Sequence, residues 1–337
     1  MDKIVFYKER DFGEKFNVTF EFVKQNWKIL LRYALYGILP LAFVGALSLN
    51  SLMQNMVDVS SGNSMFGDEL SYSMLFSYAL LLPTSLAAYI WIGTVVFSMM
   101  QFYNAHDEGL QGVTFQELKP SFRRNAWRLF KCGLVGFLIG IVFLAVFFTV
   151  IALGAAINSG AMTAIFCFLA VAAVVAFGVP LILVTPTYIF EDISVWRAYV
   201  RGFRLGWSTW GGIFGLGFVL SLLSNVVSVV FVMPWEVCVF VKTLFVQAYA
   251  GEETFVGSVA FVILQYIFGV VMWIGSYLIY NLFFISTGYL YSHAAEKLDD
   301  MSVGQGVDDF EEKADQSQDD DDLFEVKSFS KLFLHLD

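Results

Sequence analysis

Hydrophobic positions in this chain gather into six long runs, at about residues 29–49, 75–100, 129–155, 161–189, 211–233 and 255–280, the last continuing apolar to Tyr291. At about 1.5 Å per residue each run is long enough to cross about 30 Å of hydrocarbon. Backbone polar groups inside lipid must be satisfied within their own segment, so the runs are predicted to be helices. Between them lie amphipathic stretches. Phe16, Phe20, Val23 and Trp27 are spaced as one helical face, as are Trp196, Val200, Phe203 and Trp207, and Phe115, Leu118, Phe122 and Ala126 form a looser third copy. The pattern predicts an all-α polytopic membrane helix bundle of six transmembrane helices in three hairpins, with an amphipathic inner-face helix before each hairpin. The expected organisation is an amphipathic N-terminal segment at 1–28, a transmembrane domain at 29–291 and a tail at 292–337. Residues 234–253, apolar but broken by Pro234, Glu236, Lys242 and Gln247, read as an interfacial helix on the outer side.

Composition sharpens this picture. Of 337 residues, 58% are hydrophobic and 15% charged, against about 25% charged in an ordinary soluble domain. That balance excludes a soluble globular enzyme and a disordered protein, and argues against an outer-membrane barrel. The net charge of −10 belongs to the tail: residues 292–337 hold fourteen acids and four lysines, and the rest balances. Nucleic acid is therefore not an expected partner. The N-terminal segment lacks the pattern of a cleaved signal, so the first run is expected to remain as an anchor. Nineteen of the twenty Lys and Arg fall in alternate connecting segments, with Lys242 the exception. The positive-inside rule then predicts both termini in the cytoplasm.

The segment FGVPLILVTPTYIFEDISVWRAYVRGFRLGWSTWGGIFG joins the fourth run to the fifth. Its Pro186, Glu191, Ala198, Arg201, Phe203, Leu205 and Trp207 resemble the membrane domain of glycerophosphoryl diester phosphodiesterases and its six-span bacterial relatives. The family often carries Ser after the Arg, where this chain has Gly202. The opening RDFGEKFNVTFEFVKQNWKILLR is similar to the start of such proteins, and the resemblance covers about residues 8–295. It implies a bacterial cytoplasmic (inner) membrane protein. The 46 residues after Tyr291 are too few for the α/β barrel of the family's soluble enzyme, so the resemblance also implies the membrane part without the catalytic domain.

Candidate chemistry is sparse. No Asp, Glu, Lys, Arg or His lies in the middle of a run, which argues against a proton relay, a voltage sensor or a carboxylate-coupled transporter. His106, Asp107 and Glu108 are neighbours on the chain, but a metal site needs converging ligands; no metal, cofactor or catalytic residue is expected. Cys132, Cys167 and Cys238 are too far apart to read as a framework. Gly217, Ser221, Ser224, Asn225 and Ser228 form a small-polar stripe on the fifth run, suited to helix packing, which Gln265, Ser276 and Asn281 of the sixth run together can complete into a polar cavity. Gly136 with Gly140, and Gly211 with Gly215, are GxxxG pairs suited to close helix packing. Lys24, Lys28, Arg123, Arg124, Arg128, Arg197, Arg201 and Arg204 sit where they either orient the chain or bind lipid headgroups. The tail is too acidic to fold alone, but Phe329, Leu332, Phe333 and Leu336 near its end are at helical spacing and can engage a protein partner. Two functions are compatible with these features. One is a non-enzymatic membrane-organising or accessory protein engaging lipid headgroups or a protein partner. The other is a transporter or flippase-like carrier of a lipid or small amphiphile. The sequence leaves the oligomeric state open.

Overall fold

The computed structural model describes residues 3–60, 68–157, 159–249 and 255–303. The tail stripe from Phe329 to Leu336 lies outside the described residues. Within the described residues eight α-helices succeed one another: α1 (Phe12–Ser60), α2 (Asp68–Ala105), α3 (Phe115–Ala156), α4 (Gly160–Leu181), α5 (Val184–Phe190), α6 (Val195–Ser208), α7 (Trp210–Tyr249) and α8 (Val259–Asp299). Six helical stretches, α1, α2, α3, α4 with α5, α7 and α8, are long and apolar enough to cross a membrane. The chain is a multi-pass, all-α membrane bundle.

Its centre is the packing of α1 against α2 and α8. Ala34, Ile38, Ala42 and Ala46 recur every fourth residue on α1 and are fully buried; mostly small side chains on one face let the helices approach closely. Gly37 continues the logic: a Cβ there would lie 2.3 Å from the Trp91 ring of α2. The Trp91 indole N–H donates to the Tyr33 and Ala34 carbonyls at 3.1 and 3.2 Å. Helix α7 packs on α8, where Gly275 sits against the Phe231 ring. The α3–α4 hairpin is peripheral, and the most apolar stretch of α3 has no buried residue.

Three boundaries differ from the sequence pattern, each for a local reason. The first amphipathic stripe and the first run share one unbroken 49-residue helix, because no proline intervenes before Pro40. Within 1–28 only residues 3–11 are non-helical among those described, ending at a capping box. There Asp11 Oδ1 accepts from the Glu14 N–H at 2.7 Å, and Glu14 Oε2 accepts from the Asp11 N–H at 3.2 Å. The second stripe is likewise the start of α3, and only the third forms a separate helix, α6. The fourth run divides between Leu181 and Val184. Pro186 has no N–H and its ring crowds the carbonyl four residues back. The chain there makes tighter bonds, Ile182 N–H to Val179 O at 3.2 Å and Leu183 N–H to Pro180 O at 3.3 Å. Finally, the fifth run does not stop at Met233. Helix α7 passes through Pro234 to Tyr249 instead of turning into a separate interfacial helix. Trp235 Nε1 donates to Asn50 Oδ1 at 2.8 Å, and Lys242 Nζ to Gln54 Oε1 at 3.3 Å. These bonds lay the extension along the C-terminal part of α1.

Helix α6 crosses the α4–α5 elbow on two glycines. A Cβ on Gly202 would lie 2.6 Å from Val184 Cα, and one on Gly206 would lie 2.4 Å from the Pro180 carbonyl oxygen. Both neighbours are backbone and cannot rotate away. Gly206→Ala is therefore expected to destabilise the bundle by about 1–3 kcal/mol through overpacking. Gly217→Ala, which meets nothing within 4 Å, should be neutral. Thermal unfolding in detergent, followed by size-exclusion recovery, compares the two.

Candidate functional site

One end of the bundle collects the basic residues. The non-helical segment 3–11 lies across it as a strap, with Ile4, Phe6, Tyr7 and Arg10 all buried. Lys3 Nζ donates to the Asn104 carbonyl at 3.1 Å and pairs with Asp107 at 3.5 Å; the Ile4 N–H donates to Tyr103 Oη at 3.0 Å. Phe6 packs its ring on Phe190 and Tyr289. Arg10 closes the strap on itself. Its guanidinium donates to the Phe6 carbonyl at 3.1 Å, the Lys8 carbonyl at 3.3 Å, the Val5 carbonyl and Ser292 Oγ, and lies 5.2 Å from the centre of the Tyr289 ring. Burial pulls the Arg10 guanidinium below its ordinary pKa, against the Tyr289 and Glu14 contributions. Carbonyl dipoles and a ring face hold this cation in place of a carboxylate.

The α5–α6 turn, Glu191 to Ser194, is the second element of this end. The carboxylate of Glu191 pairs with Arg201 and accepts from the Tyr291 hydroxyl at 2.9 Å; Arg201 also pairs with Asp299 at 2.9 Å. Burial pulls the Arg201 guanidinium down, but Glu191 and Asp299 outweigh it and hold its pKa above the ordinary value. Burial also pushes the Tyr7 phenol up, with a hydrogen bond to Tyr291 opposing. The Ile189 carbonyl accepts from Gln101 Nε2 at 2.8 Å and from Arg128 at 3.3 Å. Arg128 pairs with Asp192 and lies over the Tyr188 ring. Asn125 Nδ2 completes the net, donating to Ser98 Oγ and Gln101 Oε1, each at 2.8 Å. Helices α2, α3, α5, α6 and α8 thus meet on one turn.

Beside this net a groove of about 1390 Å³ opens between α2 and the first half of α3. Its lining combines Lys119, Arg123, Arg124, Arg128 and Lys131 with Trp91, Phe115, Phe122, Trp127, Phe130 and Tyr188, and among the described residues no acid lines it. Among the described residues, Lys119, Arg123, Arg124 and Lys131 have no carboxylate partner within ion-pair distance. Lys131 lies 5.2 Å from the Trp127 ring centre. On the floor, the Thr94 hydroxyl is buried without a hydrogen-bond partner.

The structure sorts the eight candidate cations into three sets. Arg123 and Arg124 line the groove uncompensated. Arg128 and Arg201 are held by acids of the protein itself. Lys24 and Lys28 on α1 and Arg197 and Arg204 on α6 are exposed and lie outside the groove. Lys119 and Lys131 belong to the groove but not to the sequence-derived set. Their signal is the four-residue spacing of Lys119, Arg123, Trp127 and Lys131, which places them on one helix face.

The polar stripe of α7 does not gather around Gln265. Ser221 and Asn225 face outward, and the stripe bonds to its own helix: Ser221 Oγ to Phe218 O, Asn225 Nδ2 to Ser221 O and Ser228 Oγ to Asn225 O, at 2.8, 2.7 and 2.9 Å. Gly217 and Ser224 are half-buried on the same helix. Gln265 is buried at the other end, lining a pocket of about 240 Å³ with Asn50, Ser51, Gln54 and Lys242. Of the two GxxxG pairs, Gly140 and Gly211 meet nothing within 4 Å. His106 stacks on Phe102 at 3.9 Å while Asp107 turns to Lys3, and no metal-binding group of three His, Cys, Asp or Glu forms among the described residues. No protein-family model, curated protein or solved structure matches the chain.

Two routes into the α5–α6 turn distinguish structure from ligand contact. Glu191→Gln and Arg201→Gln should each destabilise the fold, and a double-mutant cycle should return a coupling of about 0.5–3 kcal/mol. Arg123→Gln, on an unpaired side chain, should change stability by no more than about 0.5 kcal/mol. Chemical unfolding in detergent measures all four variants.

Proposed function

We propose that this chain is a non-enzymatic membrane-organising or accessory protein of the bacterial cytoplasmic membrane. In this reading both termini and the basic end face the cytoplasm, and the basic end holds anionic lipid headgroups. The reading rests on one observation above others: four cations that have no acid partner among the described residues, beside aromatic side chains in the α2–α3 groove. Cations at a membrane surface attract anionic lipid by about 1 kcal/mol each. Four acting together would supply about 4 kcal/mol, close to a thousandfold local enrichment. The aromatic side chains suit the boundary between headgroup and hydrocarbon, where amphipathic rings concentrate.

The resemblance of residues 8–295 to the phosphodiesterase membrane domain bears on the architecture, since its matching positions Glu191 and Arg201 join helices together. The acidic tail is assigned to a basic protein partner. The carrier reading draws little from α7, where Ser221, Asn225 and Ser228 bond to their own backbone.

Native mass spectrometry of the protein released from nanodiscs of mixed phosphatidylglycerol and phosphatidylcholine tests the proposal. Wild type should retain the anionic lipid at least tenfold over the zwitterionic one. Combining Lys119→Gln, Arg123→Gln, Arg124→Gln and Lys131→Gln should abolish that preference. Combining Lys24→Gln, Lys28→Gln, Arg197→Gln and Arg204→Gln should reduce it less than threefold. Equal retention of both lipids by wild type overturns headgroup binding, and a C-terminal reporter active only outside the cytoplasm overturns the orientation.

A further inference from the structure

We propose that the α2–α3 groove is a site for a lipid with two phosphates joined by a short linker, of the diphosphatidylglycerol type, in preference to a single-phosphate phospholipid. This rests on the headgroup reading above and narrows it.

The first argument is the layout of charge. Lys119, Arg123, Trp127 and Lys131 follow one another every fourth residue, so each step along α3 is about 6 Å and the two lysines stand about 18 Å apart along the helix. A single phosphodiester carries one negative charge in a compact group and meets only one or two of these cations. A headgroup with two separated phosphates matches a row whose cations lie on both sides of an aromatic residue, with Lys119 and Arg123 before Trp127 and Lys131 after it. Arg128 does not add to the row, because Asp192 and the Ile189 carbonyl already hold it.

The second argument is an unsatisfied group. Thr94 is 1% exposed, lines the groove and has a hydroxyl with no partner. A buried hydroxyl without a bond costs free energy that a ligand oxygen would restore. A phosphate or linker oxygen seated between the cations supplies one. The Trp91 indole cannot take that role, since its N–H already serves the Tyr33 and Ala34 carbonyls.

The third argument is size and exit. The groove, at about 1390 Å³, exceeds the about 300–1000 Å³ of an ordinary small-molecule site. Beyond Lys131, the apolar face of α3 at Leu134, Phe137, Leu138 and Ile141 is exposed. Acyl chains leaving the groove therefore meet a surface already suited to lipid.

The test compares tetraoleoyl cardiolipin with dioleoyl phosphatidylglycerol at equal total phosphate in phosphatidylcholine nanodiscs, reading retained lipid by native mass spectrometry. Wild type should retain the two-phosphate lipid at least tenfold more than the single-phosphate lipid. Lys119→Gln combined with Lys131→Gln should bring the two to parity. Thr94→Val should lower retention of the two-phosphate lipid severalfold. These side chains leave the Glu191–Arg201 net untouched, and circular dichroism and size-exclusion profiles verify the fold of each variant. Equal retention of both anionic lipids by wild type, each above phosphatidylcholine, overturns the two-phosphate proposal and leaves the headgroup reading standing. Retention of neither above phosphatidylcholine overturns both. A tenfold preference that survives the two lysine changes also overturns the proposal, since it places the two-phosphate lipid elsewhere.

Discussion

The pairing of Glu191 with Arg201 is the interaction on which the basic end depends. It lies in the turn after the α4–α5 elbow, where Pro186 has interrupted a span and the chain must reverse into α6. A reversal at that depth leaves carbonyls and side chains needing partners, and the turn gathers them. Arg201 reaches Asp299 at the end of α8, Tyr291 donates to Glu191, and the Ile189 carbonyl draws in Gln101 from α2 and Arg128 from α3. An ion pair of limited exposure is a poor source of net stability by itself, because desolvation offsets much of the attraction. Its value here is geometric: Arg201 ties α6 both to Glu191 of the turn and to Asp299 of α8, which fixes where α6 lies. Gly202 and Gly206 make that position reachable by letting α6 lie directly on backbone.

That constraint divides the cations by role. Arg10, Arg128 and Arg201 are the same residue type as Arg123 and Arg124, and all of them sit on the basic side. Three are consumed within the protein, by carbonyls, Asp192 and Glu191 respectively. Arg123 and Arg124 line the groove and pair with no acid among the described residues. Orientation and ligand binding therefore need not use the same residues, although every one of them contributes to the charge asymmetry.

The spans are legible in the sequence because hydrocarbon imposes length and apolarity directly on it, and six runs become six long apolar helices. Features set by tertiary contact are not legible in the same way. Nothing in the local pattern separates Arg128, which finds Asp192 sixty-four residues away, from Arg124, which finds no acid among the described residues. Gly202 and Gly206 form the close seam, while the pairs at Gly136 and Gly211, with the same spacing, do not form matching seams. The sequence pattern misplaces the end of the fifth helix because Pro234 signals a break in isolation. Asn50 and Gln54, in the C-terminal part of α1, supply the partners that keep it straight in register with that helix. The spacing of the α7 stripe does place it on one face, but only the packing of the helix decides that Ser221 and Asn225 are exposed while Gly217, Ser224 and Ser228 are half-buried.

The unpaired row on α3 carries an energetic consequence of its own. Like charges four residues apart on a helix destabilise it by about 0.2–0.5 kcal/mol per pair, and Lys119 with Arg123 is such a pair. The first half of α3 offsets that repulsion with packing, since Leu118, Phe122 and Leu129 lie in the core. An anion seated along the row removes the repulsion and adds attraction, and anything that binds only the folded state stabilises it in proportion to its affinity and concentration. Because Asn125 and Arg128 carry the first half of α3 into the net on the α5–α6 turn, a charge bound in the groove bears on the same turn that positions α6.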